Sequence, residues 1–228
     1  MQGFNHRLIC ATALLALAWA FPAAADEDVC APEKMLKVVT VAESDRIDPD
    51  SSAAKPRTLY RQGEKYGRIE EPVDPRTGAH LVFVVNEPDL WVADLVSKRG
   101  QHAVDPGPTY TFRAQIFGQA ASKNSVIRTI EFGCEARAMR AAGAKETRTT
   151  HDEIGKVTRL EHTEAGEQIV LLLDRETQKP KRLELYFEDR LAFAMNYKEY
   201  RDALKFDPDL FQKPAGIEYS EAQGAGSP

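Results

Sequence analysis

The stretch EQIVLLLDRETQKPKRLELYFEDRLAFAMNYKEY, Glu167 to Tyr200, decides the fold. It holds three apolar-rich runs separated by ETQK and the tight EDR, and EAG links it to GKVTRLEHT, Gly155 to Thr163, just upstream. Links this short join only antiparallel neighbours. Leu183, Leu185 and Phe187 share one face of their run, and Arg182, Glu184 and Tyr186 share the other. Leu191, Phe193, Met195 and Tyr197 repeat the alternation in the next run. The pattern predicts a meander of antiparallel strands with one apolar and one wetter face. Its apolar face must be covered by a helix, by a second sheet or by the sheet itself.

Working outward, MLKVVTVAESDRI after Cys30 reads as a helix-to-strand entry or an edge strand, and DPDSSAAKPR, Asp48 to Arg57, as a loop. TLYRQGEKYGRIEE gives two short strands about a turn at Gly63–Glu64. AHLVFVVNEPDLWVADLVSKRGQHAVDPG gives three more, with turns at Asn86–Pro88 and near Arg99–Gly100. TYTFRAQIF alternates as a strand, with Tyr110, Phe112, Ala114 and Ile116 on one face. One segment breaks the β pattern. In NSVIRTIEFGCEARAMRAAG, Val126, Ile130, Cys134, Ala138 and Ala141 recur at helical spacing. Asn124 or Ser125 can cap this helix, Gly143 can end it and Gly133 can split it. The expected class is α+β, mainly β.

The first 25 residues read as an export signal. His6 and Arg7 lead into the apolar run LICATALLALAWAF, then PAAA, with Ala23 and Ala25 placed for cleavage after Ala25. The run is too short and wrongly flanked for a membrane span. Removing it leaves 29 Lys+Arg against 35 Asp+Glu, a formal charge of −6, which argues against nucleic acid as partner and for no more than transient contact with an anionic membrane. Cys10 leaves with the signal, so Cys30 and Cys134 remain. In an oxidising compartment they form a disulfide closing a loop of about 100 residues, worth about 4–5 kcal/mol in the chain-entropy model; the alternative is two unpaired thiols. Residues 26–219 form one domain in this reading, and 220–228 form a disordered tail.

Chemistry-bearing motifs are sparse. His151-Asp152-Glu153 and Glu161-His162 could converge on a metal across a hairpin, but Glu161 and His162 point to opposite faces of their strand and the first group sits in a polar connector. His80 and His102 read as surface or hydrogen-bonded histidines. The sequence carries no Gly-x-Ser-x-Gly elbow, no phosphate-binding Gly-rich loop, no Cys-x-x-Cys and no His-Glu-x-x-His. No catalytic residue, metal site or cofactor is assigned. In FDPDLFQKPAGIEY, Phe206 to Tyr219, Asp207 and Asp209 stand two apart as cation ligands often do, yet two carboxylates are too few to hold a hard cation. The acids shape a turn with Pro208, and Leu210 and Phe211 dock the chain end before a short last strand at Ile217 to Tyr219.

LYRQGEKYGRIEE, VNEPDLWVADLVSKRG with its central Trp91, the closing meander, and FDPDLFQKPAGIEY with Phe211 and the Pro214-x-Gly216 element together resemble the LolA-like superfamily of periplasmic proteins. The resemblance runs from about Met35 to Tyr219. It implies a strongly curved antiparallel sheet, a half-open barrel, with one or more helices covering the open side around a hydrophobic cavity. It implies an apolar ligand (a lipid, an acyl chain or a lipoprotein) rather than a reaction. Residues 124–143 are the lid candidate, although their C-terminal half is rich in alanine and charge. No single arginine can be matched to a lid-locking arginine of the lipoprotein carrier, and the disulfide is not a feature taken from that carrier.

The expected function is therefore a soluble periplasmic carrier or chaperone that buries an alkyl chain at about 0.8 kcal/mol per CH2. Candidate cavity residues are Phe83, Trp91, Tyr110, Phe112, Phe187, Phe193, Met195 and Tyr197. The alternative is the same scaffold with a filled core, sensing or bridging an envelope protein partner. An envelope hydrolase is the third reading.

Overall fold

The computed structural model describes residues 30–105, 112–117 and 124–221. The export signal, its cleavage point after Ala25, Tyr110 and residues 222–228 lie outside the described residues. Twelve strands form one sheet: β1 (Met35–Glu43), β2 (Arg57–Gln62), β3 (Tyr66–Glu70), β4 (Leu81–Asn86), β5 (Asp89–Asp94), β6 (Arg99–Val104), β7 (Lys145–His151), β8 (Gly155–Glu164), β9 (Glu167–Asp174), β10 (Pro180–Phe187), β11 (Arg190–Leu204) and β12 (Glu218–Glu221). Two short helices, α1 (Ser125–Thr129) and α2 (Glu135–Ala141), fall between β6 and β7.

The order across the sheet is β12-β6-β5-β4-β3-β2-β1-β11-β10-β9-β8-β7. All neighbours are antiparallel except β12, which runs parallel to β6. The chain thus builds outward from β1 to β6, jumps to the far edge, and builds back from β7 to β11, which closes against β1. The sheet is strongly curved but does not close into a barrel. Register shifts in β11 against both β1 and β10 mark bulges, which bend a strand and sharpen its twist.

This order dictates where the rest of the chain must go. Because β6 and β7 lie at opposite ends of the sheet, the chain between them has to cross one of its faces, and its described parts, 112–117 and 124–142, lie on the concave one. There Leu36, Val38, Leu59, Val85, Leu160, Ile169, Leu171, Leu173, Leu183, Leu185 and Met195 pack against Val126, Ile127, Ile130, Phe132 and Met139 of the crossing segment. The chain after β11 must likewise return to β6, and it uses the opposite face. A 3-10 turn at Pro208–Phe211 sets Phe211, fully buried, beside Tyr66 (ring centroids 5.4 Å), and Arg68 donates to the Leu210 carbonyl at 3.1 Å. Asp207 caps this turn by accepting from Asp209 N at 3.1 Å, so the carboxylate shapes backbone.

The outer face of the meander is also dry. Val157, Val170 and Leu172 are buried beneath Ile154 and Tyr186, and β9 is apolar on both sides. Arg182 binds Glu184 at 2.8 Å and Glu43 at 2.9 Å, and Arg159 binds Glu161 at 2.9 Å, so long charged side chains roof the apolar strip.

Several expectations change. β1 is neither an entry helix nor an edge, since it pairs with β2 and β11 on its two sides. The β5–β6 turn comes before Arg99, which already belongs to β6. Phe112–Phe117 is not a strand: it is extended chain with one bridge, Gln115 to Glu131. Leu191 pairs with Tyr186, whereas Phe193 pairs with Leu185, so the bulge between them turns Leu191 away from Phe193's face. β7 had no counterpart in the sequence reading, and Ser220 and Glu221 belong to β12 rather than to a tail.

Candidate functional site

The cover over the concave face consists of Phe112–Phe117, α1 and α2. Asn124 caps α1 by accepting from Val126 N at 3.0 Å, and the carboxylate of Glu164, on the β8–β9 hairpin, accepts from Ser125 N at 2.6 Å and Ser125 Oγ at 2.7 Å. Between the helices, Gly133 takes φ +90°, a conformation that side chains rarely adopt, and it breaks the expected single helix in two. Gly67 on β3 admits Phe112, because a Cβ there would stand 2.3 Å from the Phe112 ring.

The cover is held by a compact set of polar ties around residues 130–135. Arg61 on β2 is 0% exposed and points into the cover. Its Nη2 lies 2.7 Å from Glu131 Oε2, Nη1 donates to the Phe132 carbonyl at 3.0 Å, and Nη2 donates to the Phe112 carbonyl at 3.2 Å. One guanidinium thus fastens both halves of the cover to the sheet. Burial pulls it below its usual value, and Glu131 beside it opposes that shift. Glu131 also receives Arg113. Glu135, buried, accepts from the Tyr197 hydroxyl of β11 and from Gly133 N, both at 3.0 Å. Desolvation raises its carboxyl to about 7. The Cys30–Cys134 disulfide pins the same region to the chain just before β1.

The sequence-derived cavity residues scatter about this arrangement. Phe112, Met195 and Tyr197 lie in the core beneath the cover. Phe193 is half-buried and meets Phe117 edge-on at 5.6 Å. Phe83 pairs with Ile69 on the concave side and is half-buried, while Phe187 is exposed near the β10–β11 tip. Trp91 is on the other face, packed with Val82, Val84 and Tyr219 and stacked on His102 at 5.6 Å. His102 is held between Asp89 (2.7 Å) and Glu221 (3.2 Å). His151 ends β7 and accepts from Glu153 N at 3.3 Å, and His162 stands 3.7 Å from Glu164.

Sequence reasoning missed Arg61, Glu131 and Glu135. A signal existed for the acids. They stand four apart, each one position after a member of the stripe Val126, Ile130, Cys134, Ala138, and so follow the same buried period. Arg61 gave none, since in LYRQ it reads as an ordinary polar position of an alternating strand.

No protein-family model matches the sequence, and no curated protein matches it. Among solved structures, the chain is similar to an uncharacterized conserved protein from Thermus thermophilus, at 10% identity and a TM-score of 0.45, covering 83% of this chain and 91% of that one. It is similar to MucB in a MucA/MucB complex from Pseudomonas aeruginosa, at 13% identity and a TM-score of 0.34, covering 85% of this chain and 61% of that one. It is also similar to a provisionally named outer membrane lipoprotein-sorting protein domain from Vibrio parahaemolyticus, at 12% identity and a TM-score of 0.34, covering 78% and 89%. The chain spans about three fifths of that MucB chain. No helix among the described residues is long and apolar enough to cross a membrane.

Proposed function

We propose that this is an exported, non-enzymatic protein of the cell envelope that takes an apolar chain against the concave face of its sheet when the cover lifts. The observation that carries this is the contrast between the face and its fastening. The face is apolar over eight neighbouring strands, from β8 across β1 to β4. The cover over it is two helices of five and seven residues with short extended pieces, tied around residues 130–135 by Arg61, Glu135 and the disulfide and at the start of α1 by Glu164. Helices this short have little stability of their own, so the cover's position depends on those ties. An alkyl chain replacing the cover would meet Met195, Phe193, Tyr197 and the leucines of β9 and β10, gaining about 0.8 kcal/mol per CH2. The export signal and the disulfide support a periplasmic setting.

Native mass spectrometry of protein purified from an envelope extract, with titration of a fluorescent fatty acid, tests this reading. Co-purifying lipid or saturable uptake is expected, and uptake should increase in Arg61→Leu. Ligand-free protein with no uptake by either form would sink it. The closely packed concave face favours a second reading, a scaffold with a filled core that binds an envelope protein. Crosslinking that yields one dominant protein partner and no lipid would select it.

A further inference from the structure

We infer that the tie between Glu135 and Tyr197 makes the cover acid-locked: it is closed firmly in mildly acidic surroundings and loosens as pH rises to neutrality. The inference rests on residues 112–117 and 124–142 being a movable cover, and it adds a condition under which they move.

The geometry is that of a single carboxyl bridging two bodies. One Glu135 oxygen accepts from Tyr197 on the sheet and the other from Gly133 within the cover. The charged and titratable groups nearest it come from β2, the cover and β11, with Arg137, two positions along α2, lining the cleft beside it. From β2 comes Arg61, already bonded to Glu131 and to two carbonyls. From the cover come Glu131 with its partner Arg113, and from β11 come Tyr197 and the half-buried Tyr200. β8 and β9 present Thr158 and the apolar Leu160, Ile169, Leu171 and Leu173 toward this core. Neither described bond to Glu135 comes from a cation, and the attraction of the Arg61 charge is outweighed by desolvation, so the buried carboxyl favours its neutral form. A cleft of about 120 Å3, lined by Glu135, Cys134, Tyr200, Lys179 and Asp202, opens beside it.

The sign follows from the two states. Closed, the carboxyl titrates near 7; lifted into water, it returns to an ordinary value near 4.5. The closed state holds a proton that the open state releases, so closure is favoured fully below the lower value and that advantage fades as pH rises to about 7. The open fraction should grow by up to roughly a hundredfold across this window.

Hydrogen–deuterium exchange of the full mature protein, corrected for intrinsic rates, reads this without any ligand. Protection of residues 130–142 should fall from pH 5 to pH 8 while that of β9 and β10 holds. In Glu135→Gln it should be flat with pH, and in His162→Asn, which removes an imidazole on the same side of the sheet, it should keep the wild-type profile. A wild-type profile without pH dependence, or one equally steep in Glu135→Gln, overturns the inference. Should Glu135→Gln fail to fold, Tyr197→Phe decides: losing the hydroxyl donor moves the midpoint upward, and an unmoved midpoint overturns the proposal. A carrier that binds lipid equally well at pH 5 and 8 would leave the proposed function standing and remove only this regulation.

Discussion

At the scale of single residues, two positions carry the join between sheet and cover. Arg61 is buried with its ion partner Glu131, and removing one member of such a pair strands the other. Arg61→Leu should cost about 3 kcal/mol in urea unfolding. The double variant with Glu131→Gln should cost less than the two single losses added together, because they share one network. Gly67→Ala places a methyl where the Phe112 ring now lies. It should cost about 1–3 kcal/mol by overpacking, and Phe112→Leu should relieve part of that cost in the same measurement. Neither position was conspicuous in the sequence. Burial of a strand arginine depends on a carboxylate 70 positions away, and the need for glycine depends on a ring that arrives from another segment.

At the scale of elements, what was legible depended on contrast between faces. β10 was plain because Leu183 and Leu185 alternate with Arg182, Glu184 and Tyr186 over a covered face, whereas β9, apolar on both sides, was legible from the short links that bound it. β7 was invisible for the opposite reason: six of its seven residues, from Lys145 to Thr150, are exposed, so no alternation is imposed on it. Phe112 to Ile116 alternate like a strand, yet a guanidinium takes the Phe112 carbonyl, and the alternation reflects one side facing the core. The segment Phe206 to Tyr219 was read as a latch, and it is one: Phe211 stacks on Phe206 at 5.6 Å and seals the outer face of β3 and β4. Phe211→Ala should cost about 3–5 kcal/mol, a large loss for a residue so near the chain end, measured by calorimetry.

At the scale of the whole molecule, stability should peak in mild acid. Hydrogen bonds and neighbouring cations hold Glu43, Asp74, Glu164 and Asp174 below their ordinary values, with Asp94 at about 2. Their contribution is present above the ordinary carboxylate range and is lost as pH falls through their folded values. Glu135 acts in reverse, its contribution fading between about 4.5 and 7. His102, raised by its bonds to Asp89 and Glu221, adds stability below its ordinary value that disappears as pH climbs through the folded one. The melting temperature should therefore be highest near pH 5 and decline toward both pH 3 and pH 8. Glu135→Gln should shallow the decline on the neutral side alone, leaving the part that His102 contributes.

The cross-link between Cys30 and Cys134 has a mechanical consequence. A load applied to the N-terminus passes straight through the sulfurs into the start of α2, so β1 to β6 and α1 lie inside a covalent loop that tension cannot extend. Pulled from its two ends, the oxidised protein should release roughly 35 nm less contour length than the reduced one, from a separation of 104 residues. Force then arrives first at the cover rather than at the frame, and a molecule tugged by its N-terminal end would open before it unravelled.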